Sequence, residues 1–238
     1  MNAGLVAVGI DADSEPSGCA NRRTGRTSSA GHFANECSKV GSGAPMVAPP
    51  APLSAVVFES APLTATEVMF GNASVDLWLR SPVNDADLEV NLTEVRPDGQ
   101  EMYVQSGWLR ASRRGSGPDA TALWPSPTFF ETDAAPLALN QWTQVRVGTA
   151  GFQHVFRAGS RIRIAIDTPG GSRAEWFFAL LQFPGAVTYE VGHDKDHASS
   201  VVLPVAASVV APAALPPCPS LRGQQCRAYT RYANTSAQ

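Results

Sequence analysis

Between residues 73 and 112 apolar and polar side chains alternate with a period of two. Val75, Leu77 and Leu79 fall between Ser74, Asp76, Trp78 and Arg80, the pattern of a strand with one face turned to a core. Ser81-Pro82-Val83-Asn84-Asp85 then interrupts the run with turn residues. A second run, 88–95, sets Leu88, Val90 and Leu92 on one face and Glu89, Asn91 and Thr93 on the other. Pro97 presets φ for the turn that follows and Gly99 tolerates the positive φ that closes it. Met102, Val104, Trp108 and Leu109 supply the returning strand. The architecture predicted here is antiparallel, and the remainder of the chain has to cover its apolar face.

The same reading continues along the chain. Residues 55–60 form an edge strand, and a loop spans 113–127, where Arg113-Arg114 reads as a solvated pair rather than an anion site. A strand covers 141–149, and residues 152–157 lead into 161–167, with three isoleucines on one face and Arg161, Arg163 and Ala165 on the other. Trp176, Phe177, Phe178, Leu180 and Leu181 are too dense for a half-exposed strand and fit a buried segment between layers. Strands at 187–191 and 199–205 close the domain around a turn at Gly192-His193-Asp194. Short strands separated by Gly, Pro and Asp turns, without βα alternation, predict an all-β, two-sheet sandwich of jelly-roll type at 55–206.

The flanks differ. Residues 1–54 are rich in Gly, Ser, Ala and Pro without a sustained period, and 44–52 read as a Pro/Ala linker. Met1–Ile10 is apolar but short, and lacks both a cationic start and a small-residue cleavage site, so it does not read as a signal peptide. Such an opening suggests a truncated or misread gene start and a chain that is part of something larger. Residues 207–238 read as a Pro/Ala-rich, cysteine-containing tail.

With 238 residues, the chain is long enough for one large β domain plus tails or for two small domains, and can bury roughly 70% of its unfolded surface. A net charge of −3 and the lack of a basic stripe argue against nucleic acid as the partner. The 20 glycines and 19 prolines suit a turn-rich β protein. No apolar run reaches the ~20 residues of a membrane span.

Several segments together resemble a known family. Val57-Phe58-Glu59-Ser60-Ala61-Pro62-Leu63-Thr64, then Val68-Met69-Phe70-Gly71 and Val75-Asp76-Leu77-Trp78-Leu79, resemble the beginning of the C-terminal jelly-roll domain of the Xaa-Pro dipeptidyl-peptidase and cocaine-esterase (CocE/NonD) serine hydrolases. Residues 87–99 resemble that family's strand and Pro-Asp-Gly turn. Gly107-Trp108-Leu109-Arg110-Ala111 resembles its G-x-L-R-A run, and residues 156–164 its F-x-x-G-H-R strand, with Ser160 at the usual His. Residues 200–204 resemble its closing strand. The resemblance covers about 55–205 and implies a galactose-binding-like sandwich accompanied by an α/β-hydrolase catalytic domain.

That catalytic domain carries the family's Ser, Asp and His, on a G-x-S-x-G elbow. The motif is absent from this sequence; Gly41-Ser42-Gly43 lacks its frame and belongs with the linker. No catalytic residue can be assigned, and no cofactor or metal is expected. Of the histidines, His154 lies in a strand-like run, while His193 and His197 flank Asp194 and Asp196. That grouping could hold a metal, but without further ligands it reads as a solvated acidic turn. Cys218 and Cys226 are spaced for a disulfide pinning the tail, and Cys19 with Cys37 for a second; free thiols are the alternative. An even count outside the core suits an extracellular or cell-envelope location.

Two functions follow. One is the accessory domain of a serine hydrolase acting on X-Pro peptides, esters or amides, with Trp108, Trp124 and Trp142 as candidate substrate or interdomain contacts. The other is a stand-alone carbohydrate- or protein-binding sandwich, which rests on fold analogy alone.

Overall fold

The computed structural model describes residues 4–9, 19–23, 55–169, 178–206, 209–220 and 224–231, the first two stretches as backbone only. In chain order the strands are β1 (Gly4–Gly9), β2 (Cys19–Arg23), β3 (Val56–Glu59), β4 (Glu67–Gly71), β5 (Ser74–Arg80), β6 (Asp87–Val95) and β7 (Gln100–Arg110). They continue with β8 (Thr143–Gly148), β9 (Phe152–Phe156), β10 (Arg161–Asp167), β11 (Val187–Gly192), β12 (Ser200–Val205) and β13 (Cys226–Ala228). The helical pieces among the described residues are two single 3-10 turns, Ala111–Arg113 and Glu131–Asp133.

The strands form two antiparallel sheets. The large sheet runs β2-β11-β5-β12-β4-β9, with β1 added to β12 and β8 to β5; the small sheet runs β13-β7-β6-β10-β3. The fold is an all-β sandwich of jelly-roll type, as the period-two pattern predicts. Alternation explains the core directly. Val75, Leu77 and Leu79 of β5 face Leu88, Val90 and Leu92 of β6 and Ile162, Ile164 and Ile166 of β10, all within one buried cluster. Each such side chain contributes on the order of 1.5–3 kcal/mol by leaving water. The two sheets approach backbone to backbone where β7 crosses the end of β8. A Cβ on Gly107 would lie 2.2 Å from the Gly148 carbonyl oxygen, so only glycine fits there.

The two turns of the 73–112 run have different roles. Residues 96–99 make the predicted hairpin: the Arg96 N–H donates to the Gln100 carbonyl at 2.8 Å and Gly99 sits at φ +79°. Residues 81–86 instead carry the chain from the large sheet to the small one, with Ser81 Oγ closing the turn on Val83 at 2.7 Å. The small sheet also has a bulge at Leu92/Thr93, opposite Val104.

One neighbouring position of β5 is shared. Because β8 occupies one side of β5 along Ser74–Leu79, β12 and β11 lie end to end along the other, pairing with Ser74–Asp76 and Trp78–Arg80. Ser199 closes the gap between them: its Oγ accepts the Trp78 N–H at 3.0 Å and donates to the Gly192 carbonyl at 2.5 Å.

Three expectations change. Residues 4–9 and 19–23 lie in the segment read as unpatterned, yet they pair with β12 and β11; the linker at 44–52 lies outside the described residues. The expected buried segment fails in its described part: Phe178, Leu180 and Leu181 are half-buried in irregular backbone, and Trp176 and Phe177 lie outside the described residues. The segment read as a tail carries β13, which pairs with Gln100–Met102 of β7. The outward face of the small sheet is consequently not a solvent face. Glu89, Thr93, Glu101 and Arg163 are all buried, and the chain around β13 supplies part of their cover.

Candidate functional site

Among the described residues, the excursion between β7 and β8 carries most of the exposed large apolar side chains. Of the seven large apolar side chains exposed among the described residues, Trp124, Phe129, Phe130 and Leu139 belong to this loop, at 43%, 62%, 66% and 55% exposure. The loop is nonetheless well held. Arg113 Nη1 donates to the Phe130 carbonyl at 3.1 Å, and Arg114 Nη1 to the carbonyls of Ala111 and Ala135. Thr128 Oγ1 donates to Asp133 at 2.6 Å, Ser74 Oγ reaches the Ala122 carbonyl at 2.6 Å, and buried Leu137 anchors the return. The arginine pair is therefore structural bracing, neither the solvated pair expected nor an anion site.

The three non-glycine residues with positive φ among the described residues, Ser126, Phe129 and Asn140, are all in this loop. Left-handed backbone at a bulky residue such as Phe129 costs roughly 1–2 kcal/mol. Phe129 therefore stands in water on strained backbone, with Phe130 exposed beside it on ordinary extended backbone. Both features are costs without return in an isolated domain.

The three tryptophans do not share a site. Trp108 packs against Phe178 with centroids 5.6 Å apart. Trp142 stacks on His197 at 4.6 Å and carries the Arg80 guanidinium 4.8 Å from its centroid. Trp124 lies on the loop beside Gly148, 3.6 Å from where a Cβ would stand.

In the 193–197 turn the candidate ligands do not converge. His197 meets Trp78 edge-on at 5.3 Å and places Nδ1 3.2 Å from Asp194, while His193 packs against Phe58. Hydrogen bonds from the Asp196 and His197 backbone N–H groups, and from the His197 ring, hold the exposed Asp194 carboxyl below its ordinary value. Among the described residues no three His, Cys, Asp or Glu side chains converge. Asp194, Lys195 and Asp196 are exposed, as a solvated acidic turn requires, while His197 lies against the Trp78 and Trp142 indoles.

Two buried polar clusters were not apparent from the sequence. In the first, Glu94 on the inner face of β6 holds His154 Nε2 at 2.8 Å on one oxygen and accepts from Ser160 Oγ at 2.7 Å on the other. Burial would raise this carboxyl; the bonds from His154 and Ser160, the His154 charge and the Arg157 backbone N–H outweigh it and lower it. Serine, histidine and carboxylate are present, but the serine donates to the carboxylate and not to the imidazole. This is not the relay of a serine nucleophile; it ties the two sheets together at one end.

The second cluster lies on the outer face of the small sheet. Glu101 accepts from Thr93 Oγ1 at 2.9 Å, Arg163 Nη1 at 3.0 Å and Arg227 Nε at 2.8 Å. Tyr229 OH donates to Glu59 at 3.0 Å, and Arg163 reaches the Thr230 carbonyl at 3.2 Å. Burial, followed by the Glu59 hydrogen bond and charge, pushes the Tyr229 phenol up. Cys218 and Cys226 are joined in a disulfide with Cα atoms 5.7 Å apart. Of the proposed second pair, Cys37 lies outside the described residues and Cys19 is described by backbone alone. No described helix is long and apolar enough to cross a membrane.

Comparison with known proteins is consistent with this domain-level picture. Residues 10–174 match the family model of the X-Pro dipeptidyl-peptidase C-terminal non-catalytic domain. Two proteins provisionally named serine esterases, from Mycobacterium bovis and Mycobacterium tuberculosis, are each 33% identical over 154 residues. The match takes in 63% of this chain and 24% of each relative, so the chain spans about a quarter of the length of these curated relatives. A solved CocE/NonD family hydrolase from Staphylococcus aureus superposes with a TM-score of 0.57 at 14% identity, covering 86% of this chain and 36% of that one. At that identity the likeness is one of fold.

Proposed function

This chain belongs to the family of X-Pro dipeptidyl-peptidase C-terminal non-catalytic domains, and on that premise we propose that it is the accessory sandwich of a serine hydrolase. Its partner is an α/β-hydrolase catalytic domain, which performs the hydrolysis of esters, amides or X-Pro peptides. The observation that carries this reading is the β7–β8 loop, where Trp124, Phe129, Phe130 and Leu139 stand exposed on a braced and strained backbone. A catalytic domain seated there would return the cost of both by burying the rings. Trp124 is the one candidate tryptophan exposed on that loop; Trp108 is half-buried against Phe178 and Trp142 half-buried against His197. An oxidising location, extracellular or in the cell envelope, suits the Cys218–Cys226 bond.

The test is to capture the native protein from its source cells with an antibody to this domain and treat it with a fluorophosphonate probe. The expected result is a labelled serine on a polypeptide well above the mass of these 238 residues, or tightly bound to them. Phe129→Ser with Phe130→Ser should weaken that association or depress hydrolysis. A native species of only this length with no labelled partner would overturn the proposal, as would labelling of a serine within the isolated chain.

A further inference from the structure

We propose that the Cys218–Cys226 disulfide is a redox-operated lock on a strap, residues 224–231, that closes over the outer face of the small sheet. The strap begins where the cross-link ends. Cys226 is the first residue of β13 and is buried, while Cys218 is half-exposed on irregular backbone.

From Cys226 the strap makes one row of contacts across the sheet. The Tyr103 N–H donates to the Gln225 carbonyl and the Tyr229 N–H to the Gly99 carbonyl, at 2.8 and 2.9 Å. Arg227 pairs with Glu101, Arg163 reaches the Thr230 carbonyl, and Tyr229 meets Glu59 on the far edge strand. Inside the loop that the cross-link closes, Ser220 Oγ donates to Gln224 Oε1 at 3.0 Å, and Gln224 Nε2 lies 3.2 Å from His154 Nδ1.

What lies beneath makes the strap releasable. The main apolar cluster is on the other face of the sheet; on the strap's face Thr93, Glu101, Glu59 and Arg163 are groups that water solvates readily, with buried Val57 and Tyr103 as the apolar part. Opening therefore mainly exchanges protein hydrogen bonds for water hydrogen bonds and leaves the cluster between the sheets covered. A three-residue edge strand has little hold of its own, so the cross-link, by holding Cys226 beside Cys218, decides whether the strap stays closed.

The chemistry balances with a dithiol reductant. One of its thiolates attacks the half-exposed Cys218 Sγ, the S–S bond breaks and Cys226 leaves as a thiolate that takes up a proton. The second reductant thiol then displaces Cys218 from the mixed disulfide. Two electrons pass to the protein, giving two cysteine thiols, and the reductant ends as its own disulfide.

The experiment is limited trypsin cleavage of the full chain at Arg227, followed by mass spectrometry, with and without dithiothreitol. Circular dichroism and tryptophan fluorescence report the sandwich in parallel. Reduction should speed cleavage at Arg227 about tenfold or more while the sandwich signals hold. The Cys218→Ser, Cys226→Ser double variant, which keeps Cys19 and Cys37, should be cleaved at the fast rate and no longer respond to reductant. Equal cleavage in the two redox states would overturn the proposal. So would loss of the sandwich signals on reduction, because the bond would then be a staple of the whole fold.

Discussion

Replacing Glu101 with glutamine tests the buried charge cluster most directly. The Glu101 carboxylate is 1% exposed and serves three donors: Thr93 Oγ1 at 2.9 Å, Arg163 Nη1 at 3.0 Å and Arg227 Nε at 2.8 Å. Glutamine keeps the shape but offers one neutral carbonyl oxygen and one N–H₂. The Thr93 hydroxyl can rotate to accept from the amide, so that contact survives. The two guanidiniums cannot adapt, and both are left against a neutral oxygen.

Breaking a buried pair from one side costs about 3–5 kcal/mol. The lower end applies here, since Glu59 still stands 3.5 Å from Arg163 Nε and the Thr230 carbonyl still accepts from Nη1. At about 2–4 °C per kcal/mol for a domain of this size, a loss of about 3 kcal/mol lowers Tm by roughly 6–12 °C. The assay is calorimetric or denaturant unfolding of wild type, Glu101→Gln, Arg163→Met and a Glu101→Met, Arg163→Met pair. The pair should recover most of the loss, because apolar side chains of similar size ask for no partners. A Glu101→Gln variant within about 0.5 kcal/mol of wild type would show that water already reaches this face, and the reasoning would fail.

Other predictions follow from single geometries. Gly107→Ala drives a Cβ to 2.2 Å from the Gly148 carbonyl oxygen; since backbone must move, the cost should exceed the ~1–3 kcal/mol usual for overpacking, as read from thermal melts. The Glu94 carboxyl is held below its ordinary value, so its stabilisation is complete above about pH 4.3 and is lost as pH falls through the lower folded value. Urea midpoints taken downward from about pH 5 should fall more steeply for wild type than for Glu94→Gln. The Tyr229 phenol is raised in the folded state, so its contribution is present below about pH 10 and lost as pH climbs through the folded value. Ultraviolet titration should show a late tyrosinate step that Tyr229→Phe removes. Phe129→Ser with Phe130→Ser should leave the melting of the isolated chain within about 0.5 kcal/mol of wild type, because both rings are in water.

The inner faces were legible in the sequence because alternation is a local signal. Val75-Asp76-Leu77-Trp78-Leu79 and Arg161-Ile162-Arg163-Ile164 each state which side is buried without reference to any other segment, and Pro97-Asp98-Gly99 fixes its hairpin. The outer face of the small sheet was not legible. Thr93 and Arg163 read as solvent residues, and their burial depends on Cys226-Arg227-Ala228, three residues with no pattern that lie more than sixty positions beyond Arg163 in the chain. β1 escaped for the opposite reason, since Leu5-Val6-Ala7-Val8 is apolar without alternation. At the candidate interface, Phe129 and Phe130 announce apolarity, but the positive φ at Phe129 and the Arg113 brace on the Phe130 carbonyl, which set their placement, are not revealed by the sequence. Ser160 was noticed only as a departure from the family pattern. Its partner Glu94 was hidden because a buried carboxylate and a surface one have the same letter.

The pairing of β13 with β7 also imposes a schedule on synthesis. When the hairpin of β6 and β7 leaves the ribosome, the Gln100–Met102 edge has no partner, and it must wait for more than a hundred further residues before Cys226–Ala228 arrives. During that interval the nascent chain displays an open strand edge beside unpaired Glu101, and later Arg163, and an edge of that kind invites pairing with another chain. The charges themselves are a safeguard, because a neighbouring strand would have to strip their water without supplying Arg227. A polar outer face thus keeps the unfinished sheet from joining its neighbours until the last residues of the domain complete it.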